Sequence, residues 1–192
     1  MKASLIGVAL VAFAACSGPT IVDIQADFSS YDESTLFSEA SLIAEGTVLS
    51  LDYRLQKPRH VPGDTPEEDP YLGLSEEEIQ KILDEDPGVP MTVVTLRVNT
   101  VHKGVAEVGK TITVVQLGGI IDGIIYRSLD EPPLVVGEKY LLFAADSFDS
   151  EFAVLGGSAG TYRLANGEYV ATDPERAPFP VLTPAEVAAR AE

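Results

Sequence analysis

Short runs in which apolar and polar residues alternate constrain this chain most. Val94, Leu96 and Val98 interleave with Thr95, Arg97 and Asn99. That period of two is the pattern of a half-buried strand, not of a helix. Similar runs lie at Leu42–Leu51, Thr111–Leu117, Thr161–Leu164 and Glu168–Ala171. A strongly apolar run covers Lys139–Ala145, and a shorter one around Gly123 covers Ile120–Arg127. Gly and Pro punctuate them: His102-Lys103-Gly104, Gly118-Gly119, Pro132-Pro133 and Gly137. Asn166-Gly167 is the strongest short hairpin signal a sequence offers. Gly46, inside the first run, predicts a bulge or sharp bend. Five or six such strands predict a mostly β fold, a small antiparallel barrel or sandwich. With 192 residues, 45% of them hydrophobic, the chain suits one globular domain.

Three capping boxes predict short helices. Ser30 with Glu33 opens one over 31–40, with Leu36, Phe37 and Ala40 as its apolar face. Ser75 with Glu78 opens a second, striped by Ile79, Ile82 and Leu83. Thr183 with Glu186 opens a third, with Pro184 at its first turn. The second helix belongs to a different kind of segment. Residues 54–90 contain six prolines, and between Asp64 and Asp86 ten acids face Lys81 alone. This stretch reads as an acidic insertion between the first two strands.

Thirteen basic side chains stand against 30 acidic ones, a net charge of −17. Such a chain lacks the basic footprint of a nucleic-acid binder, so no nucleic acid is expected as a partner. An acidic face favours a basic partner, and a basic exported protein or peptide is the expected contact. Calcium takes six to eight oxygen ligands, and Asp64, Glu67, Glu68 and Asp69 are the candidate donors. The alternative for these four is a solvated acidic loop. His60 and His102, the only imidazoles, are expected at the surface. Gly156-Gly157-Ser158-Ala159-Gly160 lacks the spacing of a nucleophile elbow and reads as a flexible turn. Gly118-Gly119 has no following Lys-Ser/Thr pair and is no phosphate cradle. No catalytic residue is singled out, because carboxylate pairs are too numerous.

The lone cysteine is Cys16. Lys2 and an apolar run of 11 residues, Leu5 to Ala15, precede it. The run is far short of the roughly 20 residues a spanning helix needs, and matches an export signal. Phe13-Ala14-Ala15-Cys16 resembles the lipobox of bacterial lipoproteins, with Phe13 where Leu is usual. The resemblance implies cleavage before Cys16 and diacylglycerol on its sulfur. The expected organisation is a signal over 1–15, a tether over 16–30 and a β domain over 31–192. Acyl chains give stable anchoring without basic residues. The mature chain would keep 12 basic and 30 acidic side chains, a charge of −18 that anionic headgroups repel. The expected location is the cell envelope, at the outer membrane where one exists. The alternative is a secreted or periplasmic protein.

Three phrases carry a second resemblance. Glu39 to Val48, Val98-Asn99-Thr100-Val101-His102-Lys103-Gly104 and Gly137-Glu138-Lys139-Tyr140-Leu141-Leu142-Phe143-Ala144 occur in order. They resemble the strands of netrin-module-like OB-fold proteins, a group that includes the tissue inhibitors of metalloproteinases. The likeness spans roughly residues 34 to 171 and implies an OB-like barrel. Those inhibitors chelate zinc through a free N-terminal cysteine amine. A lipidated Cys16 would be blocked, and the group's disulfide cysteines are missing, so that activity is not expected here. The leading expectation is a non-enzymatic, lipid-anchored binding module. The alternatives are a carboxylate-using envelope hydrolase and a structural or calcium-binding surface protein.

Overall fold

The computed structural model describes residues 18–65 and 69–191. In chain order the elements are β1 (Thr20–Ile24), α1 (Glu33–Glu39), β2 (Leu42–Gln56), α2 (Glu76–Glu85), β3 (Val89–Lys103) and β4 (Thr111–Ile121). There follow β5 (Ile124–Ser128), β6 (Lys139–Asp146), β7 (Phe152–Val154), β8 (Thr161–Ala165), β9 (Glu168–Ala171), β10 (Val181–Leu182) and α3 (Pro184–Arg190). The expected mostly β architecture is present. All ten strands join one sheet, in the order β1-β5-β4-β3-β2-β6-β8-β9-β10. Three-residue β7 pairs with β6 on one side and, in parallel, with β4 on the other. The pairings β2-β3-β4-β7-β6 therefore return to β2, which makes the sheet barrel-like.

Packing follows from that circuit. Val48, Val94, Leu96, Val114, Leu142 and Val154 form one buried cluster, to which every strand of the circuit contributes. Leu141 and Phe143 of β6 point the other way, into a second cluster. There they meet Leu36 and Phe37 of α1, Tyr162, Tyr169, Leu182 and Val187. Strand β6 is thus buried on both faces, which is why its sequence is an apolar run rather than an alternation. Each fully buried Leu or Phe contributes about 1.5–3 kcal/mol. β2 is wrapped by irregularities in its pairing with β3, after Ile43, Glu45 and Val48. Leu49 is the extra residue at the last of these. It lets Val48 and Leu51, three apart, pack on the same cluster. At the expected bulge, a Cβ on Gly46 would lie 2.5 Å from Leu96 Cγ and 3.0 Å from the Arg97 carbonyl. Only glycine fits there.

Local chemistry explains the helices and corrects one boundary. α1 is capped by Asp32, not Ser30: its carboxylate accepts from the Ser34 and Thr35 amides at 2.9 and 2.8 Å. Thr35 Oγ1 accepts from the Asp32 amide, so the box is closed by Thr35 rather than Glu33. A carboxylate there also suits the positive helix end, and these hydrogen bonds hold Asp32 down at about 2. The Ser75–Glu78 and Thr183–Glu186 boxes form as expected. At the other end of α1, Lys103 donates to the Phe37 and Ser38 carbonyls at 2.7 and 3.0 Å.

Other differences concern strand extent. β2 and β3 stay paired to Gln56↔Val89, so the acidic insertion is the far end of a long hairpin, residues 57–88. Arg59 binds Asp149 and stacks over Phe148, 5.2 Å from its centroid. Arg54 binds Glu151 at 2.6 Å. These pairs fasten the hairpin to the β6–β7 loop. Ile120–Arg127 is not one strand. Asp122 and Gly123 turn at φ 50° and 79°, ending β4 and starting β5. Within the stretch read as a tether lies β1, which pairs in parallel with β5 from Thr20↔Ile124 to Ile24↔Ser128. Gly157–Gly160 is a buried 3-10 turn. Among the described residues no helix is long and apolar enough to cross a membrane. The expected signal segment and Cys16 lie outside the described residues.

Candidate functional site

A cleft of about 230 Å3 opens where β4 changes partners. β4 pairs with β3 from Thr111 to Leu117 and with β5 from Gly118 onward. Two glycines permit the switch. Gly118 has φ +96°, and a Cβ on it would press on the Tyr126 carbonyl at 2.6 Å. Gly119 has φ +145°, and its Cβ would meet the Tyr53 ring at 2.7 Å. The pair that reads as the end of a strand is instead a bend inside one. Beyond the bend the β4–β5 ribbon peels off the β2–β3 hairpin, and the gap is the cleft.

Peeling frees backbone groups, and buried polar side chains take them up. Thr92 Oγ1 donates to the Gly118 carbonyl at 2.8 Å. The Leu117 amide donates to Glu131 Oε2 at 2.8 Å. Gln116 Oε1 accepts from the Leu134 amide at 3.1 Å, and its Nε2 reaches the Pro132 carbonyl at 3.4 Å. Nε2 also lies 3.5 Å from Glu131 Oε1, a marginal contact. Ser128 Oγ, in a residue only 7% exposed, has no hydrogen-bond partner among the described residues. Above this polar floor the walls are apolar: Leu51, Tyr53, Ile120, Ile125 and Tyr126.

Glu131 is the unusual group. It is 4% exposed, and burial pushes its carboxyl up to about 7. The amide hydrogen bond from Leu117 opposes that rise and loses. A carboxyl with a raised pKa in a cleft marks a candidate site on physical grounds. Among the described residues it is the sole carboxylate lining the cleft. Arg127 also lines it, but its guanidinium is paired with Asp23 of β1 at 2.8 Å.

The residues singled out in the sequence are placed elsewhere. Asp69 is buried: His60 Nε2 lies 3.0 Å from its Oδ2, and the Tyr71 amide donates to its Oδ1 at 2.9 Å. These partners hold its carboxyl below the usual range. Asp64 is exposed, while Glu67 and Glu68 lie outside the described residues. Among the described residues no three His, Cys, Asp or Glu side chains converge in a way that could hold a metal. His60 and His102 are half-buried rather than surface residues. His102 stands edge-on to Tyr169, 6.5 Å between ring centres, and burial lowers its pKa against the pull of Glu45. Glu45 accepts from the Tyr169 hydroxyl at 2.9 Å. Ser158 is fully buried and donates to Asp173 at 3.1 Å.

Sequence reading missed Glu131, Ser128, Gln116 and Thr92. One signal was available: paired glycines inside an apolar strand mark a close backbone approach. Nothing in Leu129-Asp130-Glu131-Pro132 distinguishes the buried acid Glu131 from half-buried Asp130 beside it. In comparison with known proteins, no family model matches this chain, and no curated protein matches it either.

Proposed function

We propose that this chain is a lipid-anchored cell-envelope protein, held by acyl chains on Cys16, whose β domain is a non-enzymatic binding module. The cleft at the β4 partner switch is its recognition site, and the partner is an exported protein or peptide. One observation carries the binding-module reading: among the described residues the cleft has apolar walls and a buried polar floor, but a single carboxyl. Acid–base hydrolysis by carboxylates calls for two positioned groups with separated pKa values. A recognition pocket calls for apolar walls with a few convergent polar groups, which is the arrangement here. The five-strand circuit supports the netrin-like kinship, since an OB barrel has five strands. The motif residues also hold the fold: Gly46 admits Leu96, and Lys103 caps α1.

The anchor is tested by mass spectrometry of the mature N-terminus and by membrane fractionation. Wild type should carry diacylglycerol on Cys16 and sediment with membranes, whereas Cys16→Ala should not. An unmodified Cys16 would remove the anchor from this account. Recognition is tested by photo-crosslinking from position 120 in envelope extracts. A partner crosslinked there should be lost on Tyr53→Arg and kept on Glu107→Ala, a distant turn residue. Equal capture by both variants would refute the cleft as the contact.

A further inference from the structure

Resting on the cleft's role in recognition, we propose that it receives the side chain of one lysine from a basic partner. The alkyl stem would lie between the apolar walls, and the ammonium would reach Glu131 and Ser128. Size is the first argument. About 230 Å3 is below the roughly 300–1,000 Å3 of small-molecule sites, and suits one long side chain. Wall chemistry is the second. Leu51, Tyr53, Ile120 and Ile125 suit a four-carbon stem. The rings of Tyr53 and Tyr126 suit a cation.

The floor then selects the head group. Glu131 is a buried carboxyl that no cation pairs with among the described residues, since Arg127 is taken by Asp23. The hydroxyl of Ser128 is buried and unpartnered. Together they offer an ammonium a carboxylate oxygen and a hydroxyl oxygen. Arginine fits less well. Its planar fork needs both carboxylate oxygens, and Oε2 already accepts from the Leu117 amide. A chain of net charge −17 attracts a basic surface in the first place.

A cation also accounts for the burial of Glu131, which is half-protonated near neutrality. Binding an ammonium expels that proton and leaves a paired carboxylate. The other titratable side chains lining the cleft are Tyr53 of β2 with Tyr126 and Arg127 of β5. Gln116 and the Leu117 amide are the groups of β4 that face Glu131. On its own loop Asp130 is paired with Arg176.

The test uses the isotope-labelled full chain and two probes, N-acetyl-lysine methylamide and N-acetyl-norleucine methylamide. They share the stem and differ in the ammonium. Amide spectra should shift at Leu117, Gly118, Gly119 and Ser128 with the lysine probe. Affinity should rise about tenfold from pH 6 to pH 8, following the ionised fraction of Glu131. Glu131→Gln should weaken binding at least tenfold and flatten its pH dependence. Ser128→Ala should weaken it several-fold, with the free protein's amide shifts altered only around position 128. The lysine inference is overturned if norleucine binds as well as lysine, or if neither variant weakens binding; the cleft remains a recognition site in both cases. If neither probe moves those four amides, the inference and the recognition reading fall together.

Discussion

Replacing Glu131 by Gln should make this protein more stable at pH 8 and leave it nearly unchanged at pH 4. The reasoning is linkage between proton binding and folding. Glu131 titrates at about 7 in the fold and at 4.5 when exposed. Between those values the native state binds more protons than the unfolded chain, so stability falls as pH rises. Below 4.5 the group is neutral in both states and costs nothing extra. Above about 7 it is ionised in both, and the fold carries the whole penalty of burying the charge. The 2.5-unit difference corresponds to about 3 kcal/mol. Glu131 is only 4% exposed, so solvent screening removes little of it. Glutamine keeps an oxygen for the Leu117 amide and loses only the 3.5 Å contact with Gln116. Urea unfolding of both proteins at half-unit steps from pH 4 to pH 8.5 measures the difference directly. Other acids titrate alike in the two chains and cancel. The gap should swing by about 3 kcal/mol in favour of the variant, most of it between pH 4.5 and 7.5. Parallel stability curves would refute the buried, uncompensated carboxyl. Loss of the lysine probe by a variant that is more stable would show that the cost is retained for binding.

Other perturbations test separate parts of the structure. Gly46→Ala should cost about 1–3 kcal/mol by overpacking against fully buried Leu96, read as a lower urea midpoint at unchanged slope. Lys103→Met should cost about 1–2 kcal/mol by leaving the Phe37 and Ser38 carbonyls uncapped, and should speed amide exchange in α1 first. Millimolar calcium should leave the melting temperature unchanged, because Asp69 is already committed to His60 and the Tyr71 amide. A rise of several degrees would instead show that calcium binds the folded state.

The local elements are legible in the sequence, because their causes are local. Alternation in Val94–Asn99, the hairpin dipeptide Asn166-Gly167 and two capping boxes need only neighbouring residues to act. So does the glycine at position 46, whose lack of a side chain is visible before its neighbour Leu96 is known. The cap of α1 lies two residues beyond the expected one because Ser30 and Asp32 are both residue types that cap helices. Only the geometry of the entering chain chooses between them. Tertiary structure decided everything that depends on which strands meet. β7 is three residues long and gives no pattern, yet its two pairings close the circuit. β1 lies at an edge and is mostly exposed, so no buried face wrote a period into its sequence. Glu131 looks like any of the 30 acids in the chain. It is set apart because β4 leaves β3 at Gly118 and a freed amide needs an acceptor there. Burial, unlike alternation, is a property of the assembled sheet, and it turns that ordinary acid into a group poised near neutrality.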